Sequence, residues 1–287
     1  MKPTAFDLYH PLVPFAYFAA VVVLCMAAFQ PVYLVLSLAG AGALGVCLRG
    51  WRAVLRGFAW QVPLLLVIAA VNPLFSASGS TELFRIGLRA VYAESLLFGL
   101  FMGVMLVAAL LWFSNASQVL TSDKVMSLFG NAAPTVALML SMASRLVPQY
   151  VRRGAEIDAV QRATSAARPR TAGEKGVYRI RLVSVLMGWS MEDSLETADA
   201  MRARGWGSAA KRTAYKRHRF RTRDAAALVV LAALVGGNAF LVWIACSQFS
   251  FYPTMNPLAP WWGYVPYAAL VFLPLAMQIG EDLRWRS

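Results

Sequence analysis

Charge is scarce in this 287-residue chain: Asp, Glu, Lys and Arg together make up 14% of it, against about a quarter in ordinary soluble domains. Acid is scarcer still, with 14 Asp/Glu against 27 Lys/Arg and a formal net charge of +13. Histidine occurs twice, as His10 and His218, and neither stands at ligand spacing from a carboxylate. The three cysteines, Cys25, Cys47 and Cys246, lie inside apolar runs without metal-ligand or redox spacing, so they read as small buried hydrophobes. There is no His-Glu-x-x-His, no Asp-rich prenyl-binding motif and no phosphate-cradling Gly-Lys-Ser/Thr loop. Gly188-Trp189-Ser190 matches half of a serine-nucleophile elbow but falls within a helical pattern. These absences argue against an enzyme. They imply no cofactor and no metal site, and they leave any ATP chemistry to partner chains.

What is abundant is apolar: 59% of residues are hydrophobic, and the mean hydropathy is +0.56. The chain's main solvent is lipid. Residues 12–48 contain no charged side chain, too long a run for one crossing of a ~30 Å hydrocarbon core at ~1.5 Å per residue. Gln30-Pro31 divides it, because proline donates no N–H and is tolerated at a helix start. Further runs follow at residues 58–73, 96–113, 225–246 and 262–279. Pro63 and Pro73 make the first of these the least regular, and Pro266 and Pro274 lie within the last. The opening ten residues carry only Lys2 as a base before the first run, with no small-residue cleavage site after it, so that run is expected to remain in the protein. The fold class expected is all-α: a polytopic membrane protein with about five to six transmembrane helices and long amphipathic cytoplasmic helices.

The basic residues set the expected orientation. Arg49, Arg52 and Arg56, the segment 114–224, and Arg284 with Arg286 fall on one side of such an arrangement. The connections around Gln30 and over 247–261 have no Lys or Arg, and in residues 74–94 Arg85 and Arg89 are balanced by Glu82 and Glu94. Cytoplasmic loops carry the positive excess, so both termini are expected inside the cell. Trp51, Trp60, Trp112, Trp243, Trp261, Trp262 and Trp285 cluster near proposed span ends, where interfacial rings are favoured. The division expected is residues 1–113 and 225–287 in the membrane with 114–224 outside it.

Between Arg145 and Arg223 stand eighteen Lys/Arg against seven Asp/Glu, so eleven of the thirteen net positive charges lie there. Nucleic acid, anionic lipid or an acidic protein could each meet such a region, and the membrane setting argues against nucleic acid. Residues 125–151 read as helix with a break at Pro134, and residues 182–204 carry an apolar or small stripe of period near 3.6 at Val183, Leu186, Met187, Ser190, Ser194, Ala198 and Met201. Glu192, Glu196 and Asp199 occupy the opposite face, and Gly205 follows as a helix cap. Residues 164–176 read as a connection. Met126, Met139, Met142, Met187, Met191 and Met201 suit either a surface that repacks against a partner or ordinary core and interfacial packing. The run Lys211 to Arg223 reads as a basic anchor on the lipid bilayer.

Three passages together resemble one family. His10-Pro11-Leu12 before the first run is similar to that family's N-terminal His-Pro element. Pro134, followed by Ala137-Leu138-Met139-Leu140-Ser141-Met142-Ala143-Ser144-Arg145-Leu146-Val147-Pro148, resembles its helix ending in Arg-x-x-Pro. Ala200-Met201-Arg202-Ala203-Arg204-Gly205-Trp206 resembles its most diagnostic element, Ala-Met-x-Ala-Arg-Gly and an aromatic. In order and spacing these features resemble the transmembrane T component of energy-coupling-factor (ECF) importers of vitamins and metal ions, the family that includes the cobalt-transport Q protein. An earlier Ala-Arg-Gly of that family is replaced here by Arg162-Ala163-Thr164-Ser165, leaving Arg162 or Arg168 to serve it.

The resemblance implies a non-catalytic subunit in the plasma membrane of a prokaryote. Its implied partners are two ABC-type ATPases and a substrate-binding S component. Arg204 with Ala203 and Gly205, and Arg162 with Ala163, would dock on the ATPases. Met139, Met142, Leu186, Met187, Ser190, Ser194 and Ala198 would face the S component. Competing readings are a self-sufficient carrier or channel, disfavoured by spans nearly free of ionisable residues, and an integral-membrane enzyme.

Overall fold

A computed structural model describes residues 6, 9–75, 81–86, 89–129, 134–164, 171–208, 220–251 and 262–284. Nine helices run through the described residues: α1 (Leu12–Ala27), α2 (Pro31–Arg49), α3 (Trp51–Phe75), α4 (Ala93–Val119), α5 (Ser122–Phe129), α6 (Pro134–Thr164), α7 (Ala172–Ala203), α8 (Thr222–Gln248) and α9 (Tyr264–Arg284). Two short antiparallel strands, β1 (Glu82–Ile86) and β2 (Arg89–Tyr92), form a hairpin before α4, an addition to the all-helical expectation. Four helices, α2, α3, α4 and α8, are long and apolar enough to cross a membrane. The sixteen residues of α1 are apolar but fewer. The chain divides into two compact units, one of Met1–Val125 with His218–Ser287 and one of Met126–Arg217.

In the first unit α4 packs against α1, α2 and α3, while α9 packs on α2 and α8. Lipid is as apolar as leucine, so what holds such helices together is close packing and interhelical hydrogen bonding. Glycines provide the packing. A Cβ at Gly99 would lie 3.1 Å from the Ala69 carbonyl oxygen, and one at Gly103 would lie 3.2 Å from that of Leu65, so this Gly-x-x-x-Gly pair lets α4 approach the backbone of α3. At Gly40, which faces α9, a Cβ would overlap Val271 Cγ1. Polar side chains supply the bonds. Trp112 Nε1 donates to Ser37 Oγ at 3.0 Å, Tyr17 OH to the Leu270 carbonyl at 3.0 Å, and Gln30 Nε2 to Tyr264 OH at 2.9 Å. Arg49 ties the end of α2 to α4 by donating to Ser114 Oγ and, at 2.9 Å, to Asn115 Oδ1, while Asn115 donates back to the Ala41 carbonyl.

The run that Pro63 and Pro73 marked as the least regular forms one continuous helix, α3, with both prolines inside it; neighbouring helices can compensate the backbone groups a proline frees. The placing of the tryptophans is corrected in part. Trp112 is no interfacial residue: it is fully buried among Tyr17, Phe18 and Ser37. Trp51, Trp60, Trp243 and Trp262 are exposed in the protein, whereas Trp261 and Trp285 lie outside the described residues. Glu94 is buried and accepts from Thr81 Oγ1 at 2.6 Å.

Candidate functional site

The second unit is built on α6 and α7. Tyr150 of α6 meets Trp189 of α7 edge-on at 5.8 Å, and Tyr178 OH of α7 donates to Asp158 Oδ1 of α6 at 2.8 Å. Moving forward along α6 therefore means moving back along α7, so the two helices are antiparallel. Arg153 adds a cation over the Trp189 ring at 5.0 Å. Both helices outrun their sequence reading. α6 continues through Pro148 to Thr164, so the helix does not end at Arg145-x-x-Pro148. The carbonyl freed at Ser144 sits in an exposed turn where water can satisfy it. α7 begins at Ala172, ten residues before Leu182, because Thr171 and Glu174 form a reciprocal capping box: the Glu174 amide donates to Thr171 Oγ1 and the Thr171 amide to Glu174 Oε2. The connection expected over 164–176 shrinks accordingly, and Arg168 within it lies outside the described residues. So do Lys211, Lys216, Arg217 and Arg219 of the basic run.

α7 contains no buried residue. Tyr178, Leu182, Leu186, Trp189, Ser190 and Asp193 are half-buried on one face, with Gly176 and Met201 half-buried nearer its ends, and Tyr178 and Trp189 of that face make the seam with α6. Rotated well away from that seam, Val177, Ile180, Met187, Met191 and Leu195 line a second apolar stripe that is open, with Met187 63% and Met191 71% exposed. The residues expected to face a partner therefore divide. Met142, Leu186 and Ser190 are half-buried, whereas Met139, Met187, Ser194 and Ala198 are exposed.

The two arginine-bearing ends differ in construction. At the end of α7, Arg204 leaves the helix at φ −82° and ψ 8°, and Gly205 takes φ +78°. The Trp206 amide donates to the Met201 carbonyl at 2.9 Å and the Gly205 amide to that of Arg202 at 2.9 Å. This is the paired pattern of a Schellman cap, and the left-handed position explains the glycine after Arg204. Ala203, Arg204 and Gly205 are exposed, and among the described residues Arg204 has no carboxylate within ion-pair distance. At the end of α6, Arg162 Nη2 contacts Asp158 Oδ2 at 2.7 Å, and Asp158 also receives the Tyr178 hydroxyl. Tyr178 and Asp158 hold the Arg162 guanidinium above its usual range, and the hydrogen bond to Asp158 raises the Tyr178 phenol. Arg162 is thus engaged within the hairpin while Ala163 beside it is exposed. From Tyr178 to Arg204 the helix runs about 39 Å at ~1.5 Å per residue, so the two arginines mark opposite ends.

In the first unit His10 of the His-Pro element is held by a residue that sequence reasoning did not single out. Asp224 is 3% exposed; it accepts from the His10 amide at 3.1 Å and the Arg221 amide at 2.9 Å. The signal was an acidic residue three positions after Arg221 at the entry of α8, the position of a capping carboxylate. Asp158 and Tyr178 carried no comparable signal, since their partnership spans two helices. No known family model matches the chain, and no curated protein matches it in sequence.

Proposed function

We propose that the chain is the membrane-embedded coupling subunit of an ATP-driven importer of the ECF type. In this reading α1, α2, α3, α4, α8 and α9 cross the plasma membrane of a prokaryote with both termini inside. The α6–α7 hairpin is the lever. Its arginine-bearing ends engage two ABC-type ATPases, Arg204 through its open guanidinium and Arg162 after exchanging Asp158 for a carboxylate on the partner. Planar guanidinium groups bind carboxylates bidentately, which suits such a junction. ATP-driven closure then shifts the hairpin, and its open apolar stripe passes the movement to a substrate-binding S component.

The observation that carries this reading is the hairpin itself: two helices of about thirty residues, one with no buried residue, that expose Val177, Ile180, Met187, Met191 and Leu195 together. Large exposed apolar surface of this kind marks a partner or a membrane. The order of motifs, His10-Pro11, then Arg145 to Pro148, then Ala200 to Trp206, gives the partner its type. The test is uptake in cells that lack the native gene, scored over a panel of labelled vitamins and cobalt or nickel ions. Arg204→Glu is expected to abolish uptake while the protein stays in the membrane. Uptake at the wild-type rate by Arg204→Glu contradicts the assignment.

A further inference from the structure

An apolar crevice of about 140 Å³ opens between the starts of α1 and α8 and the second half of α9, lined by Tyr9, Val13, Ala227, Leu231, Leu234 and Met277 among others. Its one nearby α1 hydroxyl, that of Tyr17, is turned away and donates to the Leu270 carbonyl. Apolar cavities of this size stay dry and accept hydrocarbon. At its outer end the Arg223 guanidinium stands over the Tyr9 ring at 5.8 Å, and Arg221 and Arg223 are exposed there. The lining residues of α8 lie four to eleven positions past Arg223, or about 6–17 Å along the helix axis at ~1.5 Å per residue. One leaflet of the hydrocarbon core is ~15 Å deep, so the crevice covers the depth of one acyl chain and the arginines the level of its phosphate.

We infer that this crevice is a binding site for one anionic phospholipid, with a segment of acyl chain between α1, α8 and α9 and the phosphate on Arg223 and Arg221. The inference rests on the membrane assignment and is independent of the coupling role. Cation and chain site are complementary to a lipid of one charge sign: a juxtamembrane arginine favours anionic headgroups by about fivefold per residue, and the apolar lining supplies affinity without headgroup choice. The proposed site also joins the N-terminal segment at Tyr9 to the base of α8, next to the bond between His10 and Asp224.

The full chain, purified in a maltoside detergent, is titrated with dioleoyl phosphatidylglycerol or dioleoyl phosphatidylcholine, and bound lipid is counted by native mass spectrometry. Wild type is expected to retain one phosphatidylglycerol with at least about fivefold preference over phosphatidylcholine. Arg223→Gln is expected to lose about fivefold of that preference while still binding lipid. Ala227→Phe, which fills the crevice, should lose the bound lipid of either kind; Val229→Phe, exposed on the same helix, should not. Equal retention of both lipids by wild type, full preference in Arg223→Gln, or undiminished binding by Ala227→Phe would each overturn the inference. If Ala227→Phe does not fold, the Arg223→Gln comparison decides alone.

Discussion

Gly205 is the position where backbone geometry and the exposed arginine meet. It adopts φ +78°, and a side chain there costs about 1–2 kcal/mol for an alanine, more for a β-branched residue and less for asparagine, which tolerates the left-handed region. A Cβ would also lie 3.2 Å from Ser208 Oγ, which donates to the Gly205 carbonyl at 2.7 Å; a shift of a few tenths of an ångström relieves that contact, so the backbone term is the larger. About 1–2 kcal/mol changes the open fraction of the cap by roughly 5- to 30-fold. The cost falls on the Gly205 and Trp206 amides, which donate to Arg202 and Met201. Hydrogen exchange of the 201–206 segment should therefore accelerate in the order Gly205→Asn, Gly205→Ala, Gly205→Val. The 182–190 segment, held by the seam with α6, should exchange as in wild type. Gly207, also at positive φ with nothing near its Cβ position, should give a smaller effect on the same amides when changed to Ala. Exchange at Gly205 and Trp206 that is unchanged in Gly205→Val refutes the cap as the determinant of this end.

Two further outcomes follow from packing and charge. Gly99→Ala places a Cβ against the backbone of Ala69 and Asn72 Cβ and should cost about 1–3 kcal/mol, lowering the melting temperature in detergent by several degrees; Gly42→Ala, with nothing within 4 Å, should be neutral or slightly stabilising through helix propensity. Tyr178→Phe removes the hydroxyl that joins Asp158 to α7, and spin labels at Val160 and Val177 should report a broader separation than in wild type. Because the hydrogen bond to Asp158 raises the Tyr178 phenol, the contribution of that bond is complete below the ordinary tyrosine value of about 10 and is lost as pH rises through the raised value. The wild-type distance distribution should broaden only above that range, and that of Tyr178→Phe should not change with pH.

The four helices long and apolar enough to cross a membrane were legible as long runs with few charges, and Pro31 marked the turn between α1 and α2. Burial within them was not legible. Trp112 stands near a run's end like an interfacial aromatic, yet Ser37 and Tyr17 across the packing turn it inward. The stripe read from the period of residues 182–204 shares only Met187 with the open stripe of α7, because period cannot distinguish a seam from an open face: Leu186 and Met187, adjacent in sequence, went to different ones. Pro148 suggested a helix end that tertiary contacts at Tyr150 and Asp158 override. Of the candidate site, the glycine after Arg204 was readable from local chemistry. The engagement of Arg162 was not, since it depends on a tyrosine twenty residues from Asp158.

The most direct measurement is affinity purification of the tagged chain from mild detergent, wild type against Arg204→Glu, with identification of what accompanies each. The coupling account predicts two ATP-binding cassette proteins and a small hydrophobic subunit with wild type, and loss of the ATPases alone from Arg204→Glu. Recovery of the wild-type chain without any ATPase would contradict it.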